Sequence, residues 1–136
     1  MPDFSIRKID TEQRVCWGWA SIVKNADGSV VVDHQGDIIT PSELQKAAHV
    51  FVKDARTGGL MHERTDGIAT IVESFVTTPE TIEALFPNIA KGLIPTGWCV
   101  AFHVTDDGVW KSVRDGSLSA FSIHGTGERV PYEEQS

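Results

Sequence analysis

Apolar residues recur at helical spacing after a strong helix-start signal near the middle of the chain. Thr40-Pro-Ser-Glu43 combines a threonine cap, a proline at the first helical position and a glutamate at the capping-box position. Gly58 ends the run. The apolar positions of this predicted helix are Leu44, Ala47, Ala48, Phe51 and Val52.

Two shorter helices are predicted further along. One begins at Thr78-Pro-Glu80 and is limited by Pro87, and its spacing turns Ile82, Leu85 and Phe86 inward. The other is capped by Asp106 or Thr105 and is closed by Gly116. Its inward positions are Val109, Trp110 and Val113.

Runs rich in β-branched and aromatic residues predict strands between these helices. A turn signal, Asn25-Ala-Asp-Gly28, follows the first run. The predicted strands are 14–23, 30–32, 68–76, 97–104 and 117–124. Long strands with few short helices predict a β-rich α+β fold, as a barrel or sandwich with helices on its outside.

Size and charge narrow the class of protein. The 136 residues are enough for one domain, which we place at residues 1–130, with a disordered tail at 131–136. A net charge of −7 argues against binding of nucleic acid. Cys16 and Cys99 are expected to be buried free thiols, although one disulfide stays open. No run approaches a membrane span or a signal peptide, so an intracellular protein is expected.

The predicted last strand carries the most informative candidate for chemistry. Phe121 and Ile123 alternate with Ser122 and His124 along Leu118-Ser-Ala-Phe-Ser-Ile-His-Gly125. Ser122 is either a nucleophile or a strand serine that faces solvent, and serine needs a base to become reactive. Ser119 is a weaker candidate.

His62, in the segment Met61-His-Glu-Arg64, could supply that base, or it could be a solvated loop histidine. Glu73 is expected to share a strand face with Ile71 and Phe75. A carboxylate there either pairs with a partner such as a histidine or lies on a solvated face. His124 is the other residue that could line the same cleft as Ser122.

A metal site is the weaker interpretation of the remaining polar residues. His34 and Asp37 in Asp33-His-Gln-Gly-Asp37 could both be ligands, but no third ligand follows at a recognisable spacing. Gly36 is better explained by a turn. We therefore expect neither a metal nor any other cofactor.

Several segments in order along the chain resemble the prohead, or capsid-maturation, proteases of tailed bacteriophages. The likeness is to the branch of phage serine proteases that occurs in defective prophages. The matching segments are Gly18-Trp-Ala-Ser21, Val32-Asp-His-Gln-Gly-Asp-Ile38, Met61-His-Glu-Arg64, Val72-Glu-Ser-Phe75, Gly97-Trp98, Val104-Thr-Asp-Asp107 with Trp110, and Phe121-Ser-Ile-His-Gly125.

This resemblance implies a fold similar to that of herpesvirus assemblin, a mostly antiparallel closed β-barrel flanked by a few short helices. It implies a serine endopeptidase that cleaves scaffold and major capsid proteins, and itself, inside the immature capsid in the host cytoplasm. Ser122 would be the nucleophile and His62 the general base. The phage enzymes imply an acid as the third member, which would be Glu73, and the second histidine of the herpesvirus enzymes makes His124 the alternative. The chain departs from the commoner phage pattern in having His124 where glycine is usual.

The resemblance leaves some expectations open. A homo-oligomer is compatible with it, and the chain looks like the protease domain alone. The main alternative function is a catalytically silent protein with a protease fold that serves as a structural or scaffold component of phage assembly. A metal-dependent hydrolase that uses His34, Asp37 and His62 is the third.

Overall fold

The computed structural model describes residues 3–32, 36–57 and 69–122. Its strands are β1 (Asp3–Asp10), β2 (Val15–Lys24), β3 (Ala69–Val76), β4 (Thr96–Val104) and β5 (Ala120–Ser122). Its helices are α1 (Pro41–Thr57), α2 (Pro79–Leu85) and α3 (Asp107–Asp115). The fold is therefore a β-rich α+β fold, as predicted.

The five strands form one antiparallel sheet in the order β3-β4-β2-β1-β5. β3 and β5 are the two edges, and within the described part of the chain each pairs with one neighbour. The sheet formed by these strands is therefore open, and the expectation of a closed barrel is corrected. Closure would require a hydrogen-bonded ladder between the two edges.

One face of the sheet carries the core. Trp98, Val100, Phe102 and Val104 alternate along β4 and are buried on this face, which we call the core face. The ring of Phe4 on β1 meets the ring of Phe102 edge-on at 5.3 Å between centroids. Helices α1 and α3 close the core with side chains from Leu44, Ala48, Phe51, Trp110 and Val113.

The capping signals placed α1 and α3 correctly. In α1 the Thr40 backbone N–H donates to Glu43 Oε1 at 2.9 Å, and the Glu43 N–H donates to Thr40 Oγ1 at 3.1 Å. Asp106 caps α3 by accepting from the Val109 N–H, and Gly116 ends it at φ 86°. A positive φ suits glycine because it lacks a Cβ.

The packing predicted for α2 is wrong, although its start is correct. The helix begins after the Thr78 cap, but none of its residues is buried. Leu85 is 58% exposed and the adjoining Phe86 is 46% exposed, so neither turns inward. A seven-residue helix completes fewer than two turns, and its apolar spacing is too short a signal to fix which side faces the core.

Three strand predictions also need correction, the first being that the last strand begins at Ala120 and not at Ser117. β1 was not predicted, because a bulge at Arg7 interrupts its alternation: Ile6 pairs with Gly18, whereas Lys8 pairs with Trp17. The segment 30–32 forms only an isolated bridge between Val30 and Lys24 instead of a strand. The predicted turn before it is confirmed by the Gly28 N–H, which donates to the Asn25 carbonyl at 2.9 Å.

No helix in the part of the chain that the structure describes is long and apolar enough to cross a membrane.

Candidate active site

The proposed nucleophile lies on the short edge strand β5. Phe121 pairs with Phe4, a core residue that is fully buried, and Ser122 pairs with Asp3 on the same strand β1. Because successive residues of a strand belong to opposite faces, this register assigns position 122 to the face away from the core. We call that side of the sheet the outer face.

Glu73 is an exposed residue of β3 on the outer face. Its Oε1 accepts a hydrogen bond from Trp17 Nε1 at 2.9 Å. Ile71 pairs with Phe102 on the core face, whereas Glu73 pairs with Ala101, since a bulge lies between them at Val72. The expectation that Glu73 shares a face with Ile71 is therefore wrong, whereas the expectation that it shares one with Phe75 is confirmed, since Phe75 pairs with Cys99 on the outer face. The partner of the Glu73 carboxylate in the described residues is an indole.

The other proposed site residues fall elsewhere. His62, His124 and His34 lie outside the described residues. Ser119, the weaker candidate, is exposed just before β5, and its carbonyl oxygen accepts from the Ile6 N–H at 2.9 Å. The structure thus positions Ser122 and Glu73 in the sheet, at opposite edges, and leaves their relation to His62 as a prediction.

On the outer face, the small residues Ala101 and Cys99 of β4 each lie between two larger side chains from β2 and β3. Trp17, Ala101 and Glu73 are paired across β2, β4 and β3, and the Trp17–Glu73 hydrogen bond spans the fully buried Ala101. The row formed by Trp19, Cys99 and Phe75 lies beside it.

A pocket of about 230 Å³ opens at this place on the outer face. Trp17, Trp19 and Phe75 are its aromatic walls, Cys99 lies in its floor, and Glu73 and Arg7 are the charged residues that line it. The Trp19 ring lies against Gly97, where an added Cβ would be 3.0 Å from two of its atoms. Gly97 therefore allows the ring to approach β4 closely.

Trp17 contacts charged residues of both signs. The Lys8 ammonium lies 4.1 Å from the centroid of the Trp17 ring, a cation–π contact. The indole N–H of the same tryptophan donates to Glu73. Trp17 is thus fixed between a cation and a carboxylate, which holds the wall of the pocket in one orientation.

Both cysteines are free thiols, and they cannot form a disulfide in this fold. Cys16 pairs with Phe102 on the core face, whereas Cys99 pairs with Trp19 on the outer face. Burial raises the pKa of each thiol from 9.0 to about 11. Neither cysteine is therefore an activated nucleophile at neutral pH.

Sequence reasoning did not identify the pocket. The sequence feature that could have indicated it is the alternation of Trp17 and Trp19 with the small residues Cys16, Gly18 and Ala20 along β2. The partner strands, and hence the walls from β3, depend on pairing between distant segments. No group of three or more His, Cys, Asp or Glu residues in the described ranges could hold a metal ion.

Comparison with known proteins gives the family. The profile of the family described as "Putative phage serine protease XkdF" matches residues 4–131. An uncharacterized protein of Bacillus subtilis (strain 168), YqbD, is 32% identical over 139 residues, which cover 98% of this chain and 39% of that protein. The phage-like element PBSX protein XkdF of the same organism is 32% identical over 124 residues, which cover 91% of this chain and 40% of that protein.

The chain thus spans about two fifths of the length of these curated relatives. No solved structure matches it significantly. The likeness to herpesvirus assemblin accordingly stays an expectation. The family match covers nearly the whole chain, in agreement with the resemblance seen in the sequence. The chain belongs to the XkdF family of phage serine proteases.

Proposed function

We propose that this chain is a serine endopeptidase that cleaves scaffold and major capsid proteins, and itself, as the phage prohead matures. Membership of a phage serine protease family carries this proposal. The register of β5 supports it, because position 122 belongs to the face that helices α1 and α3 leave uncovered. A nucleophile on the core face would be sealed from a polypeptide substrate.

In the proposed mechanism His62 removes the proton from Ser122 Oγ, which attacks the carbonyl carbon of the peptide bond. The tetrahedral oxyanion then collapses, the amine leaves with the proton from His62, and water hydrolyses the acyl-enzyme. Backbone N–H groups would hold the oxyanion.

Two residues remain candidates for the third member. Glu73 lies on β3 and Ser122 on β5, and four strand spacings together with an offset of about four residues along the strands separate them by roughly 23 Å on a flat sheet. Glu73 can therefore orient His62 only if the two edges of the sheet approach each other. His124 follows Ser122 by two residues in the sequence and needs no such approach.

Co-expression with the capsid and scaffold proteins of the same phage element tests the proposal. We expect shortened products by mass spectrometry with the wild type and none with Ser122→Ala. Ser119→Ala is the matched control, since it removes a hydroxyl three residues away, and it should cleave like the wild type.

Three results would contradict this assignment. If Ser122→Ala cleaves normally, Ser122 is not the nucleophile. If the wild type produces no cleavage while it assembles into proheads, the structural role is favoured. Loss of cleavage on addition of a chelator would favour the metal-dependent alternative.

A further inference from the structure

The aromatic pocket lies on the same side of the sheet as the proposed nucleophile. Cys99 in its floor pairs with Trp19, Trp19 pairs with Ser5, and Ser5 pairs with Ala120. The pocket and β5 are thus joined by one continuous row across the outer face. Position 122 lies two residues along β5 from the end of that row.

The geometry of the sheet gives the distance between Cys99 in the pocket and position 122 on β5. Three strand spacings of about 4.8 Å and two residues of about 3.3 Å each place Cys99 roughly 16 Å from position 122. A peptide in the extended conformation advances about 3.3 Å per residue. The pocket is therefore about five residues from the bond that Ser122 would cut.

The lining of the pocket selects the chemistry of its occupant. Three aromatic side chains form its walls and a thiol lies in its floor, so burial of an apolar side chain would be favoured there. The charged residues around the pocket, Arg7, Lys8 and Glu73, are of both signs and all exposed to water, so screening leaves little attraction for a charged occupant. Burial also raises the pKa of the Cys99 thiol to about 11, which shows that this floor disfavours charge.

The size of the pocket indicates a single side chain. About 230 Å³ is below the range of roughly 300–1,000 Å³ that is usual for pockets of whole small molecules. We propose that the pocket is a substrate subsite that binds one uncharged apolar side chain, of leucine or phenylalanine size, about five residues from the cleaved bond. This inference rests on the proposed protease function for the identity of the ligand as a peptide.

The four tryptophans provide a test of the pocket that does not require catalysis. Trp17 and Trp19 line it, whereas Trp98 and Trp110 are buried in the core. In ¹⁵N–¹H spectra each indole N–H gives its own signal. We expect N-acetyl-leucine amide at millimolar concentration to shift the signals of Trp17 and Trp19 and to leave the signal of Trp110 in place. Trp110 is the control, because the indole N–H of Trp98 donates to Ser74, which lines the pocket.

Charged probes and variants make the test specific. N-acetyl-lysine amide and N-acetyl-glutamate amide should shift the Trp17 and Trp19 signals at least fivefold less. Cys99→Leu, which fills the pocket, should abolish the leucine response, whereas Cys99→Ala should keep it. His103→Gln is the matched control, since His103 lies on the same strand and face but does not line the pocket. An unchanged Trp110 signal would show that each variant is folded.

Cleavage of a mixed library of 14-residue peptides tests the substrate role. The wild type should favour a large apolar residue at one position four to six residues from the cleaved bond. Cys99→Leu should reduce that preference about tenfold and still cut the library.

The possible outcomes separate the two proposals. An equal response to all three amides, or none, overturns the apolar pocket even if peptides are cut. Signals of Trp17 and Trp19 that move with protein concentration alone identify a second copy of the chain as the occupant and also overturn it. Cleavage without the remote preference overturns the substrate role. If N-acetyl-leucine amide shifts the Trp17 and Trp19 signals but no peptide is cut, the protease function is contradicted, and the substrate role of the pocket with it. The preference of the pocket for an apolar occupant is kept in that case.

Discussion

The hydrogen bond between Trp17 and Glu73 leads to a prediction that separates a structural role of Glu73 from a catalytic one. The bond joins β2 to β3 over Ala101, with 2.9 Å between Nε1 and Oε1. A hydrogen bond to a charged group typically contributes about 1.5–3 kcal/mol. Because Glu73 is exposed and Trp17 is half-buried, we expect a smaller contribution, about 1 kcal/mol.

A double-mutant cycle measures this contribution. Trp17→Phe removes the donor, Glu73→Ala removes the acceptor, and the double variant removes both. The free energy of unfolding, from urea denaturation followed by circular dichroism, should show a coupling of about 1 kcal/mol. With a urea slope of about 1–2 kcal/mol/M, that coupling equals a midpoint difference of roughly 0.5–1 M.

The same variants test the proposed third member of the site. If Glu73 orients His62, Glu73→Gln should lower kcat much more than it changes KM, whereas Trp17→Phe should leave kcat nearly unchanged. His124→Ala should then have the milder effect. A coupling below about 0.3 kcal/mol would refute the hydrogen bond. Equal, small losses of kcat in Glu73→Gln and Trp17→Phe would refute the catalytic role.

Other expected outcomes concern the sheet, the first helix and the thiols. Gly18→Ala should destabilise the protein by more than about 2 kcal/mol in urea unfolding, because the new Cβ would overlap the backbone carbonyl of Ser5; a loss below about 0.5 kcal/mol would contradict the register of β1 and β2. Thr40→Ala should cost about 1 kcal/mol in the same assay, since it breaks the capping box of α1; no loss would show that the helix start frays. Stability should fall between about pH 9 and 11, because the pKa of Cys16 and of Cys99 rises from 9.0 to about 11 on burial, so the folded state binds more protons in that window. A flat pH profile there would contradict the burial of the two thiols.

Local signals in the sequence were sufficient for the elements that depend on neighbouring residues. The start of α1 follows from Thr40 and Glu43, and the end of α3 from Gly116, because caps act through hydrogen bonds within one turn. Pairing between distant strands has no such local signal. The bulges at Arg7 and Val72 shift the alternation by one residue, which hid β1 and placed Ile71 on the face opposite to Glu73 and Phe75.

In the candidate site, too, local patterns could be predicted from the sequence, whereas contacts between distant strands could not. Alternation along the last strand separated Ser122 from Phe121, and the pairing of Phe121 with Phe4 agrees with that separation. The indole partner of Glu73 could not be predicted, because Trp17 lies 56 residues away on a strand that is not adjacent to β3. The pocket was missed for the same reason, since its walls come from two strands on either side of β4.

Labelling with a fluorophosphonate tests the central claim most directly, because this reagent reacts much faster with an activated serine than with an ordinary one. Tandem mass spectrometry of the labelled protein should locate the adduct on Ser122, and His62→Ala should prevent its formation. Ser119→Ala should label like the wild type. An adduct on Ser119, labelling that persists without His62, or an unlabelled protein that is active on its scaffold would contradict the account.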